Sequence, residues 1–124
     1  MAIKEYVGAI IMELDGKEVE VIDIDVTEST GMKPVKVMNR SRNIGGVAKG
    51  IKEYSLRVTV PIPFDDDIKW AEIFGATITV FPSSPGGKRE TYLDCCTSEV
   101  GKQYTVDNEA RRTLTMFAVK KVDE

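Results

Sequence analysis

The sequence predicts a mainly β fold, an antiparallel β-sandwich or partly open barrel, and three observations carry that prediction. Over residues 52–62, Tyr54, Leu56, Val58, Val60 and Ile62 share one parity and Glu53, Ser55, Arg57 and Thr59 the other, the period of a half-buried strand. Further β-rich runs recur between turn clusters such as Asp15-Gly16 and Pro82-Ser-Ser-Pro-Gly-Gly87. A single stretch, residues 66–74, carries the signals of a helix. Regularly spaced strands with one helix bury their apolar faces by packing sheet on sheet or by curling into a barrel.

The elements follow in chain order. Residues 6–14 are apolar with few interruptions, and Asp15-Gly16 is the dipeptide of a tight hairpin turn, so a second strand returns through residues 17–26. In that strand Val19 and Val21 lie on one parity, but Ile22, Ile24 and Val26 lie on the other. The change of face predicts a β-bulge, or a strand buried on both sides near its middle. Residues 28–50 gather Gly31, Pro34, Asn39, Ser41, Asn43, Gly45, Gly46 and Gly50 around the short apolar island of Val35, Val37 and Met38. They predict a long loop holding at most a brief strand, and loops of that length are usually functional or ordered by a partner.

Beyond the alternating strand, Pro61 and Pro63 stop the ladder, because proline offers no donor to a neighbour. Asp65, Asp66 and Asp67 then precede Ile68-Lys-Trp-Ala-Glu-Ile-Phe74 and Gly75. Acids in the first turn and glycine past the last predict a short α-helix over about 66–74, with Ile68, Ala71 and Phe74 facing inward. Strands at 76–81, 88–100 and 110–122 complete the set, with 104–106 as a further short candidate.

The chain has 124 residues, 42% of them apolar, which suits one globular domain spanning 1–124. A net charge of −3 and a pI near 5.1 exclude a protein that grips nucleic acid over its whole surface, while leaving room for a local basic patch. The amino terminus lacks the cationic start and apolar core of a signal peptide. No apolar run approaches the roughly 20 residues that span a bilayer, so no membrane insertion is expected and the protein is cytosolic when made. The two cysteines, Cys95 and Cys96, are adjacent on a predicted strand and should point to opposite faces. Two reduced thiols are expected, one in the core and one facing a neighbour or solvent. With no histidine in the chain, no metal site is expected either.

Charge divides sharply along the chain. Residues 13–28 set Glu13, Asp15, Glu18, Glu20, Asp23, Asp25 and Glu28 against the single base Lys17, whereas residues 33–52 hold Lys33, Lys36, Arg40, Arg42, Lys49 and Lys52 and no acid. A negative surface and a positive loop on one chain equip it to bind copies of itself. The Asp65-Asp66-Asp67 run reads as a helix N-terminus, since consecutive residues seldom converge on one ion. Gly45-Gly-Val-Ala-Lys-Gly50 lacks the Ser or Thr after lysine that a phosphate loop needs. Without histidine or any catalytic motif, no catalytic residue and no cofactor is assigned, and the chain is not expected to be an enzyme.

The order of features resembles a tail tube protein of a contractile-tailed bacteriophage. The resemblance rests on the hairpin Gly8-Ala-Ile-Ile-Met-Glu-Leu-Asp-Gly-Lys-Glu-Val19, the arm Met38-Asn-Arg-Ser-Arg-Asn-Ile-Gly-Gly46 and the strand Tyr54-Ser-Leu-Arg-Val-Thr-Val-Pro-Ile62. Trp70-Ala-Glu-Ile-Phe-Gly-Ala-Thr-Ile-Thr-Val80, Tyr92-Leu-Asp-Cys95 and Val106-Asp-Asn-Glu-Ala110 continue it over nearly the whole chain. It implies a structural virion protein that forms homohexameric rings, stacked as the hollow tube that conducts DNA into the host cell. Secretion-system inner tubes share that fold.

On this reading Lys33, Lys36, Arg40, Arg42 and Lys49 form an arm reaching the adjacent ring. Glu20, Asp23, Asp25, Ser55, Arg57 and Thr59 line the channel or meet the arm, and DNA passes without specific binding. The implied partners are further copies, sheath, baseplate or initiator, and tail terminator proteins, in the virion tail and, during assembly, the host cytoplasm. The alternative is a monomeric β-barrel module holding single-stranded nucleic acid through Arg40, Arg42, Lys49 and Lys52, although no aromatic residue is interleaved there for base stacking.

Overall fold

The computed structural model describes residues 3–65 and 68–123. Ten strands run in the order β1 (Ile10–Leu14), β2 (Lys17–Val19), β3 (Asp23–Ser29), β4 (Met32–Val35), β5 (Gly46–Lys49), β6 (Glu53–Pro61), β7 (Phe74–Pro82), β8 (Glu90–Gln103), β9 (Arg111–Ala118) and β10 (Lys120–Asp123). Eight of them form one antiparallel sheet in the order β2-β1-β7-β8-β9-β6-β3, with β10 alongside β8. Strands β4 and β5 pair separately.

The sheet has to curl. Seven strands laid flat put their edges about 29 Å apart at about 4.8 Å per strand. The edge strands β2 and β3 are nevertheless joined by residues 20–22 alone, a span of no more than about 14 Å. The result is a half-barrel rather than two stacked sheets. This connection also corrects the reading of residues 17–26 as a bulged or doubly buried strand. The chain leaves β1 at one edge and joins β6 at the other, with the Ile22 N–H donating to the Thr59 carbonyl at 2.8 Å, so the apolar parity switches because the partner changes.

The concave side holds the core, in which Met12, Leu56, Val58, Ile78, Tyr92 and Leu114 are fully buried. Each such side chain contributes about 1.5–3 kcal/mol by leaving water. Cross-strand registers such as Val58 with Leu114 and Ile78 with Tyr92 stack these residues in rows. Cys95 lies inside and Cys96 on the outer, part-exposed side, as their adjacency predicts; burial pushes the Cys95 thiol up to about 11.

Local devices shape the sheet. Asp15 and Gly16 take φ of 52° and 85°, the two left-handed positions of a type I′ turn. The Asp15 N–H donates to the Thr77 carbonyl at 2.8 Å, and the Thr77 N–H donates to Asp15 Oδ1 at 2.9 Å, which fastens the turn to β7. Ser98 is the extra residue where β8 slips against β9, and its hydroxyl donates to the Thr115 carbonyl at 3.0 Å, as a bulge that bends a long strand would.

Two further expectations need correction. The predicted α-helix over 66–74 is a single 3-10 turn at Trp70–Glu72; its bonds run from Glu72 N–H to the Lys69 carbonyl and from Ile73 N–H to the Trp70 carbonyl. Asp66 and Asp67 lie outside the described residues. Of the positions expected to face inward, Ile68 packs on the core, Ala71 is exposed, and Phe74 is 91% exposed at the start of β7. The large indole of Trp70, 3% exposed, fills the core instead, and one tight turn lets it do so before the chain re-enters the sheet. The predicted loop over 28–50 is the second correction: β3 continues to Ser29, and β4 and β5 form a hairpin.

Candidate assembly surfaces

Strands β3 and β6 are antiparallel neighbours from Asp23 opposite Thr59 to Ser29 opposite Glu53, and the β4–β5 hairpin prolongs them beyond the sheet. Glycine makes the joint. Gly31, at φ +79°, brings its carbonyl to the Gly50 N–H at 2.7 Å, and a Cβ on Gly31 would lie 2.5 Å from the Ile51 carbonyl oxygen. Only a residue without a side chain permits that approach.

The arm beyond the joint has no core. Every residue of β4 and β5 is exposed, and Met32, Val37, Met38, Ile44, Val47 and Ile51 present apolar side chains to water. Its tip is nevertheless organised. Asn39 Oδ1 accepts the Asn43 N–H at 3.2 Å and the Ser41 hydroxyl at 3.0 Å, while its Nδ2 donates to the Asn43 carbonyl at 3.0 Å. The Arg42 N–H donates to the Asn39 carbonyl at 3.2 Å. This side-chain-supported turn displays Arg40 and Arg42, and the structure thus gathers Lys33, Lys36, Arg40, Arg42 and Lys49 on one projecting element.

The other predicted set also comes together, on the convex face of β3 and β6. Asp23 stands opposite Thr59, Asp25 opposite Arg57 and Thr27 opposite Ser55, with Thr113 and Thr115 of β9 continuing the rows. Glu20 does not belong to that face. It lies in the β2–β3 link, where it borders a cleft of about 450 Å³ floored by Trp70 and walled by Val60, Pro61 and Pro63. Glu18 borders the same cleft and stands opposite Glu13 across the β1–β2 ladder, a like-charge pair that disfavours the isolated edge.

Glu28 is taken up within the chain. The Lys121 ammonium lies 3.6 Å from Asp123, 3.7 Å from Glu28 and 3.9 Å from Glu90, and the Tyr92 hydroxyl donates to Glu90 at 2.9 Å. Burial pulls the Lys121 pKa down, but the carboxylates of Glu90, Asp123 and Glu28 outweigh it and the net direction is up. Burial first, then the bond to Glu90, raises that of Tyr92. The acidic stretch is therefore three things in space: a convex face, a cleft rim and an intrachain cluster.

Sequence reasoning missed the glycine joint and the Trp70 cleft. Gly31 and Gly50 were visible as turn residues, but their mutual approach depends on pairing across eighteen intervening positions. Among the described residues no group of three His, Cys, Asp or Glu is placed to hold a metal ion. No described helix is long and apolar enough to cross a membrane.

Comparison with solved structures places this architecture. A sheath/tube terminator of the extracellular contractile injection system PVC, in its extended state, superposes with a TM-score of 0.77 at 8% identity over 99% of both chains. The tube terminating cap of the anti-feeding prophage gives 0.70 at 10% identity, over 100% of this chain and 94% of the other. A chain of the PVC sheath-tube complex gives 0.67 at 9% identity, over 93% and 87%. This is the fold of contractile-tube and tube-terminator proteins. No protein-family model and no curated protein matches the sequence. The three structures are named as terminator, cap and sheath-tube components, none as an enzyme.

Proposed function

We propose that the chain is a structural subunit that forms hexameric rings and stacks them into the hollow tail tube of a contractile particle. The observation that carries this is the arm. A two-stranded hairpin alone is marginally stable in water, and this one exposes apolar residues along its whole length, so a neighbouring copy completes it. The tube fold supports the same reading. On it, the convex face bearing Asp23, Asp25, Ser55, Arg57 and Thr59 borders the channel, where its carboxylates repel passing phosphates and its short hydroxyls leave DNA without specific grip. Sheath, baseplate or initiator, and terminator proteins are the expected partners, in the particle tail and, before that, the host cytoplasm.

Negative-stain electron microscopy with sedimentation at rising concentration tests the proposal; hollow rings and stacks are the expected result. Arg40→Glu with Arg42→Glu should abolish stacking and leave thermal unfolding unchanged. Tubes that form in that variant unchanged, at the wild-type concentration, refute the arm's role. Monomers that retain an oligonucleotide in a salt-sensitive manner point to the single-stranded nucleic-acid module instead.

A second reading is favoured by the end-to-end match to terminator proteins: a ring that ends a tube instead of lengthening it. Single rings at every concentration, binding to one end of a preformed tube, are its signature.

A further inference from the structure

We infer that the Trp70 cleft receives the arm tip of a second copy, with Met38 entering the cleft while Arg40 and Arg42 pair with Glu18 and Glu20 on its rim. The inference rests on the tube reading and names its axial contact. Three observations carry it.

The two surfaces lie at opposite ends of the subunit. The arm leaves the sheet where Ser29 pairs with Glu53, whereas the cleft is built beside Pro61 at the far end of β6. Eight residue steps separate them, about 26 Å along the strand. Two different complementary surfaces at opposite ends generate a head-to-tail contact that repeats without closing, which is how a subunit propagates along an axis.

The chemistry matches. Met38 is fully exposed beside the tip turn, and an unbranched thioether fills irregular apolar gaps and contacts aromatic rings favourably. Pro61, Pro63 and Ile68 line the cleft above the nearly buried Val60 and Trp70. Its volume of about 450 Å³ is within the range of pockets that enclose a ligand-sized group.

The charges are unspent within the chain. Among the described residues neither Glu18 nor Glu20 makes an ion pair, and neither do Arg40 and Arg42. Glu18 also faces Glu13, so an arriving guanidinium relieves a repulsion already built into the edge. Lys17, also on the cleft lining, leaves the rim with one base against two acids.

Full-length charge-swap variants test the contact by the critical concentration for assembly. Glu18→Lys/Glu20→Lys and Arg40→Glu/Arg42→Glu should each raise it at least about tenfold, since like charges brought together oppose association. The fourfold variant carrying both swaps should return to within about threefold of wild type. Mixing the two double variants should restore propagation as an alternating stack, because the intact arm of one meets the intact cleft of the other and the swapped arm meets the swapped cleft.

Wild-type tubes with an unaffected cleft variant, or with no recovery in the fourfold variant, overturn this contact and leave the tube reading standing. Wild-type protein that stays monomeric, with no assembly in the mixture, overturns both. Unchanged thermal unfolding of each variant confirms that assembly and not folding has been altered.

Discussion

Gly31→Ala should uncouple the arm from the sheet while the body stays folded, and the size of the effect follows from the joint. An alanine at φ +79° costs about 1–2 kcal/mol, because Cβ crowds the carbonyl in the left-handed region. The added carbon would sit 2.5 Å from the Ile51 oxygen and 2.8 Å from the Gly50 and Ile51 carbonyl carbons, all backbone atoms that cannot rotate away. Relieving that contact breaks the Gly50 N–H to Gly31 carbonyl bond, worth about 1 kcal/mol.

A total of roughly 2–3 kcal/mol at the joint predicts amide exchange at Gly50 at least about tenfold faster. Faster tryptic cleavage at Lys36 and Lys49 should accompany it, with the main unfolding transition unmoved because the buried rows of β6 and β9 are untouched. Gly46→Ala is the matched control. A Cβ there meets nothing within 4 Å, and the substitution should be neutral or stabilise by up to about 1 kcal/mol. Equal exchange in the two variants would refute the close-approach argument.

Two further outcomes concern the core and its rim. At pH 8 a thiol reagent should modify Cys96 and spare Cys95, whose thiol is buried and pushed up to about 11; above pH 9 the unfolded chain ionises Cys95 and the folded chain does not, so stability falls between about pH 9 and 11, and Cys95→Ala flattens that loss. Lys121→Met keeps a stem over the Tyr92 ring but leaves Glu28, Glu90 and Asp123 without their cation, and should cost about 1 kcal/mol at low ionic strength and less at 1 M salt in chemical unfolding. Because the folded pKa of Lys121 is raised, that contribution is complete at pH 7 and disappears only as pH rises through the folded value.

Local chemistry determined much of this protein from sequence alone. The alternation from Tyr54 to Ile62 fixed β6 and its buried face, because side chains on a strand alternate whatever their partners. Asp15-Gly16 fixed the first turn, since few dipeptides hold two left-handed residues, and adjacency alone placed Cys95 and Cys96 on opposite faces. The division of charge into an acidic stretch and a basic arm was equally legible.

Tertiary structure decided the rest, wherever the outcome depended on which strand lies next to which. The parity switch at Val21 and Ile22 became a crossing between sheet edges only because β2 and β3 take different partners. Trp70 displaced the expected helix because one large side chain in the core outweighs a few helical bonds at the surface. The turn residues of 28–50 became a paired arm because Gly31 meets Gly50, and the acids parted into face, rim and cluster because the half-barrel carried Asp23, Glu20 and Glu28 to different places. Distances between residues far apart in sequence set all of these, and local propensity carries no record of them.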